Sequence, residues 1–236
     1  MDGFTPTKDI LIETFCQGVP VIKFAKENKE NGKLLHEMCI TAIQTVCKMI
    51  FLDNFMHGDL HPGNVLIDPA NRKFVLLDVG IVTTYTEEDH TLLVDVLTSF
   101  LRKQGRQAGR LMIDSSNRLM KDSNDHAVDE ERFIDKIEEI NIKASTKGYL
   151  MENLGSYITF ICNAAAKHHV MLNQAFISSA LAVKIQEGIA LALDPSVKVY
   201  KVATPILYES ERRRGDVKDT VMKMIGLEKF WPFKKE

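Results

Sequence analysis

The sequence predicts a mainly α, α+β fold on three observations. An apolar pattern at helical spacing runs from Leu34 to Phe55. Two short apolar runs, 65–67 and 73–77, flank Asp68-Pro69-Ala70-Asn71. From about Glu87 onward one helical pattern follows another. The chain has 236 residues, 45% hydrophobic and 26% charged, which suits a globular protein with a real core.

The elements follow in order. Residues 10–15, ILIETF, predict a short buried strand, broken by Gly18-Val19-Pro20; residues 20–29 predict a short helix, punctuated by Asn31-Gly32. In the long pattern, Leu35, Met38, Cys39, Ala42, Ile43, Val46, Met49 and Ile50 recur at helical spacing, so apolar that the helix should be packed on more than one side. HGDLHPGN at 57–64 cannot be helix, because Pro62-Gly63 interrupts it. The runs 65–67 and 73–77 form a hairpin, ended by Asp78-Val79-Gly80, with Gly80 freeing the backbone to turn. Helices are expected near 87–104, 106–114, 129–146, 151–168, 173–192, 196–213 and 216–229. Asp194-Pro195 reads as an N-cap followed by an N1 proline, and Arg212-Arg213-Arg214 as a solvated helix end.

Composition removes several classes. Net charge is −2, so no basic surface argues for nucleic acid. Cys16, Cys39, Cys47 and Cys162 are too scattered for a disulfide scaffold, and Cys39 and Cys47 read as buried free thiols. No CxxC or HExxH motif points to zinc, and His168-His169 lacks a third ligand nearby. Met1-Asp2-Gly3-Phe4 opens no targeting segment. No apolar stretch reaches the ~20 residues of a bilayer span, since 174–193 carries Lys184 and Glu187. The segment 217–233, with Trp231, could lie on a membrane surface, but packing on its own domain is the simpler reading. The same holds for Phe160, Ala164 and His168, with Met171 and Leu172 nearby, as a lipid groove.

The chemistry lies in His57, Asp59, Asn64, Asp78 and Gly80. Asp59 precedes Asn64 by five positions, and Asn64 precedes Asp78 by fourteen. Protein kinases use H-R-D-x-x-x-x-N followed, after a hairpin, by D-F-G. Phosphoryl transfer asks a protein mainly for positioning and charge neutralisation. One carboxylate must meet the attacking group. An amide oxygen and a second carboxylate must hold magnesium, which keeps several waters and so needs few protein ligands. Singly, Asp59 or Asp78 could be a turn cap and His57 a hydrogen-bonded core histidine; it is the set that points to chemistry.

FMHGDLHPGN followed by FVLLDVGIV resembles the UbiB/aarF-domain family of atypical kinases, and ALAVKIQEGIALALDP at 180–195 resembles that family's late E-G…L-D-P helix. The resemblance runs from about residue 10 to 205. It implies a protein-kinase-like C-lobe with a long central helix, a small hairpin beside the catalytic loop, and a helical C-terminal bundle. By residue it implies Asp59 as the catalytic-loop aspartate, and Asn64 and Asp78 as metal and nucleotide-phosphate ligands. Glu13, Thr14 and Phe15 would be the hinge that meets adenine, although Glu13 could equally be a strand-end charge. His57 braces the loop, and His61 either supports it or contacts phosphate. ATP and magnesium are the implied cofactors. A mitochondrial setting and a link to coenzyme Q and lipid metabolism are implied too.

On this resemblance, residues 1–18 are a strand and hinge remnant, 19–210 a kinase-like C-lobe, and 211–236 a tail helix. The family's alanine-rich covering loop, K-x-G-Q element and strand lysine do not occur before Glu13. The chain is therefore expected to be the C-lobe alone, inactive by itself, with an apolar upper face that an N-lobe would cover. Expected partners are a nucleotide, a lipid or membrane surface, the N-lobe, and related family members in an oligomer. Two other readings stay open. An aminoglycoside- or choline-kinase-like phosphotransferase shares HGDLHPGN but usually follows the later aspartate with an aromatic and an acidic residue, where this chain has Val79-Gly80-Ile81. A non-catalytic scaffold would predict no turnover under any condition.

Overall fold

The computed structural model describes residues 12–120, 129–147 and 154–215. Strand β1 (Val19–Pro20) leads directly into α1 (Val21–Glu27) and then α2 (Gly32–Phe51). Strand β2 (Met56–His57), a 3-10 turn (Pro62–Asn64), β3 (Val65–Asp68), β4 (Lys73–Leu76) and β5 (Val82–Thr83) follow. The remainder is helical: α3 (Glu87–Leu101), α4 (Gly105–Leu119), α5 (Glu130–Lys147), α6 (Leu154–Lys167), α7 (Gln174–Leu193) and α8 (Val199–Arg213). The α+β class and the order of elements agree with the sequence reading. The helix expected at 216–229 lies outside the described residues, as does the amphipathic tail.

The central helix is packed on several sides, against α7, α8 and β4. Its apolar positions Met38, Cys39, Ile43 and Ile50 are almost wholly buried. By length and composition, α2 and α7 would each suffice to cross a bilayer, contrary to the expectation of no such stretch. Here they pack against each other, with half and 44% of their apolar windows buried. The helix stops at Phe51, short of the expected Phe55. Asn54 adopts a left-handed φ of 48°, and its side-chain amide donates to Tyr85 O at 2.7 Å and accepts from Tyr85 N at 3.0 Å. That exchange of two bonds competes with a further helical turn.

Two small sheets complete the site's scaffold. One has the order β1-β3-β4, antiparallel throughout, and the other pairs β2 with β5. The hairpin is in the predicted place, with Val65 opposite Leu76 and Asp68 opposite Lys73. Asp68 closes its turn by accepting from the Ala70 and Asn71 backbone N–H groups and the Asn71 side chain.

Three local expectations are corrected. Residues 12–18 form no strand, and Phe15 is 86% exposed. The β3 edge is taken by Val19–Pro20, and Gly18 permits the approach, since a Cβ there would lie 2.8 Å from Leu66 Cβ. Asp194 does not cap α8. It ends α7 and spends its carboxylate on the Ser196 N–H at 2.8 Å and on His36 at 2.7 Å, so α8 begins at Val199. The arginine run is not a merely solvated end. Arg212 and Arg213 bond Glu209, which is only 3% exposed, and Arg214 bonds Asp95 at 2.7 Å.

Candidate functional site

The loop after α2 is anchored by what it buries. Met56, His57, Leu60 and Val65 point into the core, which leaves Gly58, Asp59 and His61 facing outward. His57 fixes the loop through both ring nitrogens. Its Nδ1 accepts from Asp59 N–H at 3.2 Å, and its Nε2 lies 3.1 Å from Leu77 O. A nitrogen that accepts from an amide carries no proton, so the pair of bonds requires the Nε2–H tautomer, donating to Leu77. A 3% exposed side chain thus ties the backbone of Asp59 to the residue before Asp78.

The hairpin register brings the remaining groups together. Leu77 N–H donates to Asn64 O at 2.8 Å, extending the β3–β4 ladder by one rung. Asp78 therefore leaves the sheet beside Asn64. The Asn64 amide donates through Nδ2 to Asp59 O at 3.0 Å, and its Oδ1 takes no hydrogen bond among the described residues. Asp59 and Asp78 are exposed, and among the described residues the Asp78 carboxylate meets only Gly80 N–H, at 3.4 Å. Asn64 Oδ1 and the Asp78 carboxylate are hard oxygen donors, a set that fits magnesium with its retained waters. Among the described residues no three His, Cys, Asp or Glu side chains gather as a metal site.

The left-handed backbone conformation falls on Asp78, at φ 54°, and not on Gly80 as expected. Aspartate tolerates this region when its short side chain bonds the local backbone, as Asp78 Oδ1 does with Gly80 N–H. A non-glycine residue held there costs on the order of 1–3 kcal/mol, and such strain gathers at functional sites.

His61 caps the 3-10 turn by accepting from Gly63 N–H at 3.0 Å, with Nε2 facing the Asp59 carboxylate at 3.9 Å. Glu13, Thr14 and Phe15 are exposed coil and make no hydrogen bond to the 57–80 segment among the described residues. Sequence reasoning missed Gly58. Its N–H donates to Ile81 O at 2.8 Å, and a Cβ there would lie 2.5 Å from Ile81 Cγ2. The signal was available in a glycine immediately after the buried histidine. Val79, Ile81 and Val82 are 56%, 62% and 44% exposed, so the face beside Asp78 is apolar and open.

Residues 4–112 match the ABC1 atypical kinase-like domain. The chain is 23% identical to a mitochondrial ABC1 family protein of Saccharomyces cerevisiae, covering 86% of this chain and 38% of that protein. A mitochondrial ABC1 family protein of Schizosaccharomyces pombe is 25% identical, over 87% and 35% of the two chains. A protein of Vibrio vulnificus named "Probable protein kinase UbiB" is 28% identical, over 85% and 36%. The chain thus spans little more than a third of the length of these relatives. Residues 4–112 thus resemble an ABC1 atypical kinase-like domain, and the chain is similar to ABC1/UbiB family proteins across most of its length.

Proposed function

We propose that this chain supplies the phosphate- and metal-binding floor of an ATP- and magnesium-dependent atypical kinase or ATPase. One observation carries the reading. Among the described residues, Asn64 Oδ1 takes no hydrogen bond and the Asp78 carboxylate takes only the long one from Gly80 N–H, while the backbone that holds them is bonded rung by rung. Asp59, on the same loop, is the group that would orient or deprotonate the attacking nucleophile. His57 holds the loop, and His61 shapes the turn beneath it. Magnesium, when bound by Asn64 and Asp78, would neutralise charge on the phosphates.

The covering loop and phosphate-binding lysine that complete such a site have no counterpart among the described residues. The exposed Val79, Ile81 and Val82 suit a face that another lobe covers. A mitochondrial setting follows the yeast relatives, and the link to coenzyme Q and lipid metabolism rests on the family resemblance.

Calorimetric titration with ATP and magnesium tests the reading. The chain is expected to bind nucleotide only with the divalent ion. Asp78→Asn abolishes that binding, Asp59→Asn retains it, and no steady ATP turnover accompanies it. Failure to bind, or binding that ignores magnesium or survives Asp78→Asn, overturns the floor assignment. ATP turnover by the chain alone, lost in Asp78→Ala, overturns the need for a second lobe.

A further inference from the structure

An apolar pocket of about 380 Å³, partly open to solvent, lies between α2, α3, α5, α6, α7 and α8. Its walls are overwhelmingly apolar, with Phe51 of α2, Leu97 of α3, Ile161 of α6, Phe176 of α7 and Leu207 of α8 among them. It exceeds by more than twofold a ~150 Å³ apolar cavity that binds benzene, and it falls within the range of ~300–1,000 Å³ typical of small-molecule pockets.

The second observation is polar. Tyr157 Oη and Ser179 Oγ are both buried, both belong to residues that line this pocket, and neither has a hydrogen-bond partner among the described residues. Ser179 is 1% exposed. The Tyr157 ring is held edge-on against Phe100, another wall residue, at a centroid distance of 5.1 Å. Buried hydroxyls are nearly always satisfied, because an orphaned one loses its hydration for nothing. The Asn141 amide is not available to them. In its satisfied orientation it donates to Phe100 O and accepts from Gly105 N. Among the described residues Lys103 is the only charged one in the lining, and it is exposed.

We propose that this cavity binds a neutral apolar molecule carrying a single hydroxyl or carbonyl, held by Tyr157 and Ser179. Its size is roughly a dozen heavy atoms, at the ~30 Å³ that a water occupies in the liquid. The apolar walls select the hydrocarbon body, and the two hydroxyls select one oxygen. The buried part of the lining offers no cation, so a carboxylate would enter without a counter-charge and is disfavoured. The site is separate from the Asp59–Asp78 face and stands whether or not that face binds nucleotide.

The test is calorimetric titration of the purified chain with 1-octanol below its solubility limit, beside octanoate. Saturable 1:1 binding of octanol is expected, with octanoate at least tenfold weaker. Val183→Trp, which fills the cavity from α7, abolishes binding. Tyr157→Phe combined with Ser179→Ala weakens octanol at least fivefold. Those two changes also raise the unfolding temperature of the unliganded chain, because they remove orphaned hydroxyls. No saturable binding to the unmodified chain overturns the proposal. So does equal affinity for octanoate, or unchanged affinity in the double variant. Binding that appears only when residues 216–236 are removed would assign the cavity to the chain's own tail and overturn it equally.

Discussion

His57 shows how a single side chain can organise a site without touching substrate. Its two bonds join Asp59 N–H to Leu77 O across the loop, and the ring is buried between them. His57→Ala removes both and leaves the half-buried Leu77 carbonyl without its donor. A loss of about 1–3 kcal/mol is expected in urea unfolding, with the Asp59 amide losing hydrogen-exchange protection. Glutamine, which can keep one bond, should fall between. The histidine was legible in the sequence as a brace. That Asp78 would take the left-handed conformation was not, because a glycine such as Gly80, two residues on, is the residue that normally signals it. The geometry was decided by a side-chain bond from Asp78 to Gly80 N–H that no residue pattern specifies.

At the scale of elements, the end of α8 offers the clearest measurement. Burial pushes the Glu209 carboxyl upward, but hydrogen bonds from Arg212 and Arg213, at 2.8 and 3.0 Å, outweigh it and hold the group below its ordinary value of 4.5. A carboxyl depressed in the folded state stabilises above the unfolded value and loses that contribution as pH falls through the folded one. Glu209→Gln should therefore cost about 2 kcal/mol at pH 7. The difference from the unaltered chain should shrink as unfolding is followed below pH 4.5. The neighbouring Glu211 is displaced the other way, because burial outweighs Arg102 there. Helical periodicity placed α3 through α8 within a few residues, since each has one face to bury. It did not show that the arginine run would fold back onto a buried glutamate, nor that Asp194 would serve Ser196 and His36 instead of a helix start. Both depend on which groups the tertiary fold brings alongside. Residues 12–15 of the apolar run 10–15 likewise form no strand, although their apolar character suggested one.

Across the whole molecule, the core begins on α2, whose inward thiols report on it. Burial pushes Cys47 up to about 12, and burial with the nearby Asp194 charge pushes Cys39 to about 12 as well. Cys16 is exposed. An iodoacetamide time course at pH 8, read by peptide mass, should label Cys16 promptly. Cys39 and Cys47 should react roughly 10²–10³ times more slowly until denaturant is added. Equal rates would mean that α2 is not enclosed as the fold requires. The buried thiols were predicted from sequence alone, whereas the cavity beside Cys47 was not. Helical spacing reports which residues face inward, but it carries no information on whether their volumes sum to fill the interior.

The stretch from Leu77 to Ile81 hangs between two ladders. It leaves β4 through the Leu77–Asn64 rung and enters β5, with Ile81 O already taken by Gly58 N–H. A span so short, pinned like a beam at each end, has little slack. Withdrawing Asp78 from Asn64 would mean unfastening a support first, at the cost of several bonds together. Control over this face is therefore cheapest from above, by bringing a cover down onto a rigid anvil rather than by bending the anvil itself.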